Sequence, residues 1–258
     1  AEILDVPLEA IEVVQQDTHS GPVAPVSGGS MVSYSVIGAI REALSEVRDR
    51  LLKLAANHFE ADIQDLELQQ GKVRVTGVPS QSVSLSELVK WSETSRKGSG
   101  PVMGSGSCSL PDNAPAPSVH WVQVKVDPDT GQVTPLKYLA IQDVGFALNP
   151  MLVEGQIHGG VAQGLGWGLR EGMEFDDQGL LLNPSFMDYA LFRADEVPPL
   201  EIILVQEPST HGPYGIRGVG EPPIVPGAAA LASAVEDAVG VRISELPIRP
   251  QNLWEAMR

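Results

Sequence analysis

The sequence predicts an α+β protein, with paired strands and packed helices in separate stretches. Three observations carry the prediction. The stretches 65–75 and 119–145 read as hairpins, each with alternating runs around a turn. Helical patterns cover about 36–59, 84–91, 151–171 and 222–240. No internal repeat is visible, and strands do not alternate with helices as a doubly wound parallel sheet requires. The 258 residues suffice for one large domain or two intimate lobes. We expect a first α+β lobe over 1–91, a Ser/Gly/Pro-rich loop or linker over 92–118, and a second α+β lobe over 119–258.

The opening "AEILDVPLEAIEVV" carries no basic or signal-like region and reads as if it lay inside a helix. "IEVVQQDT" (11–18) has strand character, and "HSGPVAPVSGGSMVSYS" (19–35) reads as a loop. A helix is expected from Val36 to Phe59. Val36, Ile40, Ala43, Leu44, Val47, Leu51, Leu54 and Ala55 recur there at helical spacing. "DLELQQGKVRV" (65–75) forms a hairpin around Gln-Gln-Gly. Ser84 followed by Glu87 gives "SLSELVKW" (84–91) a capping-box start.

Residues 92–118 are of low complexity and read as a surface loop, a linker, or a strap over a partner chain. Two long strands flank Asp-Pro-Asp-Thr-Gly within 119–145. "MLVEGQIHGGVAQGLGWGLRE" (151–171) is helical in pattern despite six glycines. Each costs roughly 1 kcal/mol against alanine. Close approach, to another element or to a ligand, is the reason to accept that cost. "LEIILVQ" (200–206) is a strand. "PPIVPGAAALASAVEDAVG" (222–240) is a Pro-started helix ending at Gly240, and a short helix begins near Pro250.

Composition narrows the function. Hydrophobic residues make up 43% and charged residues 19%, as in globular soluble proteins. A net charge of −16 with 5% aromatics argues against a nucleic-acid partner. No run of 18 apolar residues marks a membrane span, and cytoplasm is the default compartment, with periplasmic export on a partner's signal as the alternative. Cys108 is the sole cysteine, so this chain by itself builds neither a disulfide nor a cysteine-ligated iron–sulfur cluster. The five histidines lack metal-ligand spacing, so no protein-ligated metal site is expected.

Several polar residues are candidates for chemistry. Glu221 follows the small, flexible "GIRGVG" and precedes two prolines. It reads either as an acid in the first turn of a helix or as a general base on a rigid stem. "SGGSMVSYS" (27–35) reads either as a capped helix entry or as an anion cradle. The cradle would use the N–H groups of Gly28, Gly29 and Ser30 and the hydroxyls of Ser30 and Ser33. Gln163, beside Gly164, is either a surface glutamine or a contact to a ligand. Tyr189, Phe192 and Arg193 are open between a substrate channel and ordinary packing.

Taken in order, "DVGFALNPMLVEGQIHGGVAQGLGWGLRE", "NPSFMDYALFRADEVP" and "GPYGIRGVGEPPIVPGAAALASAVEDAVGVRISELPIRP" resemble one family. It is the molybdenum-binding subunit of the xanthine dehydrogenase / aldehyde oxidase family, in its C-terminal part. "VPLEAIEVVQQDT" and "GGSMVS" extend the resemblance over essentially the whole chain.

The resemblance implies a molybdopterin-binding α+β domain that helps to hydroxylate an aldehyde or N-heterocycle oxidatively, with water as the oxygen source. It implies Glu221 as the base, with Gly220 beside it at the cofactor. It implies Gln163 near the metal's oxo ligand, and Gly28, Gly29, Ser30 and Ser33 along the pterin or its phosphate. The base is expected to be partly removed from water. The metal is held by the cofactor's dithiolene and not by side chains. The cofactor, in its simple or its cytosine dinucleotide form, is shared with a chain or domain carrying the N-terminal half of the subunit. Iron–sulfur clusters and FAD are expected on partner chains or domains, which pass the electrons on.

Two departures stand out. Met31-Val32 occupies positions where bacterial members often carry Arg-Thr. The family's earlier glycine-rich loop and substrate-side arginine are also missing. A split or cleaved subunit, or a shortened chain, would account for this. The alternatives are a cofactor-free structural or assembly subunit and a small-anion-binding module.

Overall fold

The computed structural model describes residues 1–14, 17, 19, 21–24, 26–109 and 114–258. The chain separates into two units, one made of 1–26 and 32–111, the other of 27–31 and 112–258.

In the first unit, α1 (Val32–Phe59) packs on a three-stranded meander of β1 (Leu66–Gln69), β2 (Lys72–Val75) and β3 (Val78–Ser84). Each neighbouring pair is antiparallel. β3 was not expected from the sequence. Val78 and Val83 are its large apolar residues, so its alternation is faint. α2 (Leu85–Thr94) starts from the expected capping box. Ser84 Oγ accepts the Glu87 N–H at 3.2 Å, and Glu87 Oε2 accepts the Ser84 N–H at 3.1 Å. The core gathers Leu51, Leu54, Ala55, Leu66, Val73, Val83 and Leu88.

α1 begins four residues before the expected Val36, and Val36 and Ile40 are exposed although their spacing predicts an inward face. Part of this half of the helix is covered by the Ser/Gly-rich segment. The N–H groups of Ser105 and Ser107 donate to Glu46 and Glu42 at 3.0 and 2.7 Å. A Cβ on Gly106 would stand 2.0 Å from the Ala39 carbonyl oxygen, so only glycine fits there. Residues 95–109, expected as a loop or linker, form neither helix nor strand and lie along their own unit's helix.

Two other expectations fail in this unit. The opening segment forms two short 3-10 turns, Glu2–Leu4 and Leu8–Ala10, with Pro7 between them, and not a helix. Residues 11–14 form no strand, since no described strand lies alongside to complete their hydrogen bonds. The rest of that expected strand, residues 15, 16 and 18, lies outside the described residues.

In the second unit, β4 (Ser118–Val126) and β5 (Val133–Asp143) make the expected hairpin, with Trp121 opposite Leu139. Asp127 Oδ1 ties the turn by accepting the N–H of Asp129 at 2.9 Å. β6 (Leu200–Val205) joins the far side of β5 in parallel, with Tyr138 opposite Leu200, so the sheet is mixed. Between β5 and β6 runs α3 (Pro150–Leu169), started by Asn149, whose Oδ1 accepts the Leu152 N–H at 3.2 Å. α4 (Gly227–Val239) and α5 (Pro250–Ala256) follow. Val122, Tyr138, Ala140, Ile157, Val161, Leu165, Leu231, Val235 and Leu253 form the core.

The Pro-started helix expected over 222–240 is shorter. Pro222–Ile224 is a 3-10 turn, and α4 begins at Gly227. Pro226 explains the shift. Inside a helix begun at Pro222 it would have to donate an N–H it lacks.

Five of the six glycines of α3 divide by face, and the sixth, Gly166, lies against the Glu171 side chain. A Cβ on Gly160 would meet the Pro223 Cβ at 2.6 Å, and one on Gly164 the Gly227 Cα at 3.0 Å. Gly168 presses likewise on Leu231. These residues let α3 approach α4 and the 3-10 turn before it. Gly155 and Gly159 have open space before them.

Candidate functional site

The site is built on the loop 215–221 of the second unit. That loop is anchored at the end of β5. Arg217 N–H donates to the Val144 carbonyl at 2.9 Å, and Arg217 Nε stands 3.0 Å from Asp143 Oδ2. The contact is ionic, without the alignment of a hydrogen bond. Arg217 also donates from NH1 to the Pro115 carbonyl at 2.6 Å and from NH2 to the Glu207 carbonyl at 3.3 Å. Both charged side chains are largely buried. Asp143 Oδ1 in turn accepts the Gly145 N–H at 2.9 Å. Sequence reasoning missed this pair. An arginine inside the glycine-rich "GIRGVG", and an aspartate closing a strand two residues before a glycine, were the available signals.

The second piece is the turn 28–31. Met31 N–H donates to the Gly28 carbonyl at 3.3 Å, and the two central residues are left-handed, Gly29 at φ 63° and Ser30 at φ 57°. Two positive φ angles in succession mark a type I′ turn. The turn seats on the loop. Ser30 Oγ donates to Glu221 Oε2 at 3.3 Å and accepts the Glu221 N–H at 2.8 Å. Glu221 precedes the 3-10 turn at Pro222, and its side chain caps nothing. The carboxylate is exposed, so the expected removal from water is not present in this chain by itself.

The third piece is one side of α3. Leu152, Gln156, Gly159 and Gln163 are exposed and recur at helical spacing. Gln156 Oε1 lies 3.5 Å from where a Cβ on Gly220 would stand, which brings this side chain to the Glu221 loop. Sequence reasoning passed over Gln156. Gln163 is seven residues on, about 10 Å along the axis, and among the described residues no hydrogen bond joins it to Glu221. Thus Ser30, Gly220 and Glu221 come together, Gly28 and Gly29 form the adjoining turn, and Gln163 stands apart. Ser33 lies in the first turn of α1, in the other unit. Of the substrate-channel candidates, Phe192 packs on the core beneath the Arg170 guanidinium, and Arg193 stands near Asp195 and Glu196.

Among the described residues, the N–H groups of Gly29, Ser30, Gly218, Val219 and Gly220 have no acceptor. Such donors suit a ligand rich in acceptor oxygens or carrying phosphate. The exposed carboxamides of Gln156 and Gln163 add polar groups along α3, and the open space at Gly159 leaves room beside them. No cluster of His, Cys, Asp and Glu suited to a metal occurs among the described residues.

His120 and Tyr138 make a second polar pair. His120 Nδ1 and the Tyr138 hydroxyl are 2.9 Å apart. Burial pushes the imidazole down to about 4 and the phenol up. The histidine is therefore neutral at physiological pH.

Comparisons with known proteins agree with this architecture. The molybdopterin cofactor-binding domain matches residues 1–198. A putative xanthine dehydrogenase molybdenum-binding subunit of Escherichia coli (strain K12) is 33% identical over 99% of this chain and 34% of its own length. The nicotine 6-hydroxylase large subunit of Paenarthrobacter nicotinovorans is 32% identical over 100% of this chain and 33% of its own. The structure of reconstituted CO dehydrogenase from Oligotropha carboxidovorans superposes with a TM-score of 0.82 at 28% identity, over 93% of this chain and 30% of that one. This chain spans about a third of the length of the curated relatives it matches. No helix among the described residues is long and apolar enough to cross a membrane. The chain belongs to the molybdopterin cofactor-binding domain family of the large subunits of xanthine dehydrogenase and carbon monoxide dehydrogenase type.

Proposed function

We propose that this chain forms part of a molybdenum hydroxylase acting on an N-heterocycle or an aldehyde, with Glu221 as general base. One observation carries the reading. The Glu221 carboxylate caps no helix and stands on a loop anchored to the sheet, and that loop and the turn held to it by Ser30 carry N–H groups without acceptors.

When bound, the molybdenum cofactor supplies a two-electron redox centre for inserting oxygen from water. This chain's residues do the rest of the local work. The N–H groups of Gly29, Ser30, Gly218 and Gly220 hold acceptor atoms of the cofactor. Gln156 and Gln163 orient polar atoms along α3. Glu221 Oε2 accepts the Ser30 hydroxyl, which leaves Oε1 to take a proton from the water that supplies the oxygen. The remainder of the molybdenum subunit, with iron–sulfur and flavin partners, supplies the substrate pocket and the electron exit.

The test is Glu221→Gln in the assembled, cofactor-replete enzyme. Dye reduction is followed with xanthine, nicotine, carbon monoxide and an aromatic aldehyde as substrates. Loss of a proton acceptor should cut turnover by about 10²–10⁴-fold with molybdenum content unchanged. Wild-type turnover in the replete variant would overturn the assignment of Glu221. An assembled complex without molybdenum or pterin would overturn the hydroxylase reading altogether.

A further inference from the structure

We infer that Ser30 is a positioning residue for the Glu221 carboxylate and not a cofactor ligand through its hydroxyl, a role that rests on the reading of Glu221 as the base. A serine hydroxyl offers one hydrogen and two lone pairs. Here the hydrogen goes to Glu221 Oε2 at 3.3 Å, and a lone pair takes the N–H of the same residue at 2.8 Å. Ser30 therefore grips Glu221 at its main chain and at its acid end together, across 191 residues of sequence. With both ends held, the glutamate's torsions are restricted to those that keep Oε2 against Ser30. Oε1 is left as the free oxygen. A base on an exposed loop has no packing of its own to orient it, and this two-point grip supplies the orientation.

The backbone supports the same conclusion. Ser30 sits at φ 57°, where glycine or asparagine is at ease and other residues are strained by about 1 kcal/mol or more. For the turn by itself serine is a poor choice. What it adds is the hydroxyl, aimed at Glu221. The turn also rests directly on the loop. A Cβ on Gly218 would lie 2.7 Å from the Ser30 Cβ, so the small residues of "GIRGVGE" give Ser30 its room. Anion contacts from this turn then fall to the main-chain N–H groups, which the serine leaves free.

The experiment compares Ser30→Gly, Ser30→Ala and Glu221→Gln in the assembled molybdenum enzyme. Glycine adopts the left-handed conformation freely, so Ser30→Gly keeps the turn and removes only the hydroxyl. Both serine variants should retain full molybdenum content. They should lower kcat about tenfold or more with KM changed little, as misplacement of a catalytic group does. Ser30→Gly with Glu221→Gln should be no slower than Glu221→Gln alone. A second readout is independent of turnover. Hydrogen–deuterium exchange at the Glu221 amide should accelerate in both serine variants, since its acceptor is gone. Wild-type kcat and wild-type exchange in Ser30→Gly, beside an inactive Glu221→Gln, would overturn this inference and leave the base standing. So would loss of molybdenum in the serine variants, which would assign the hydroxyl to the cofactor. A fully active Glu221→Gln would remove the base itself, and this role with it.

Discussion

Alanine placed at Gly160 and at Gly159 of α3 should move stability in opposite directions, although the two are neighbours in one helix. At either site alanine gains roughly 1 kcal/mol of helix propensity over glycine. At Gly159 nothing opposes the gain, because a Cβ there meets no atom within 4 Å. At Gly160 the new Cβ would stand 2.6 Å from the Pro223 Cβ and 3.1 Å from the Ile224 nitrogen. Neither neighbour is the loose end of a flexible side chain. Overpacking of this kind costs about 1–3 kcal/mol, so the net effect is a loss of up to about 2 kcal/mol. In a chain of this size each kcal/mol shifts the melting temperature by about 2–4 °C. Calorimetry should thus find Gly159→Ala melting higher and Gly160→Ala melting lower than wild type by a few degrees. Shifts of the same sign would refute the division of α3 into a helix-facing and an open side. In the cofactor-loaded enzyme, Gly159→Ala should lower molybdenum content if the open side meets the cofactor.

Two further predictions concern stability. The His120 imidazole is pushed down to about 4 by burial, so the unfolded chain takes up its proton first as the pH falls. Its contribution is complete above about pH 6.5 and lost by about pH 4, and about 1–2 kcal/mol goes in that window after allowance for partial solvent access. Denaturant midpoints of wild type and His120→Gln should converge between pH 7 and pH 4, and a constant gap would contradict the assignment. Ser84→Ala removes an N-cap bond and half of a capping box and should destabilise the first unit by about 1 kcal/mol in urea. An unchanged midpoint would show that α2 does not depend on its cap.

Local features were legible in the sequence, and distant pairings were not. The 119–145 hairpin announced itself through alternation around Asp-Pro-Asp-Thr-Gly, and the Ser84–Glu87 box through a spacing of three. Both are contacts between chain neighbours. The parallel partner of β5 arrives only after residues 144–199, and no local pattern specifies the direction in which "LEIILVQ" docks. The glycines of α3 signalled close approach. Which of them meet α4 depends on how the helix is rotated, and that is set by Ile157, Val161 and Leu165 entering the core. Pro226 moved the start of α4 to Gly227, so Glu221 stands before a 3-10 turn and not at the head of the helix. For the candidate site, Glu221 and the Gly-Gly-Ser turn were each visible as unusual residues. Their union through Ser30 and the Asp143–Arg217 anchor were not, because these contacts join segments far apart in the chain.

The parallel seating of β6 has a kinetic consequence. The meander of the first unit can zip strand by strand, each joining a neighbour already beside it in the chain. In the second unit β6 reaches β5 only across the loop of residues 144–199, and closing so long a loop is slow because its entropy is lost before the pairing rewards it. The Glu221 loop hangs from the end of β5 and leans on Glu207, just beyond β6. The acid's final position therefore rests on a pairing that closes a long loop, and not on contacts between chain neighbours.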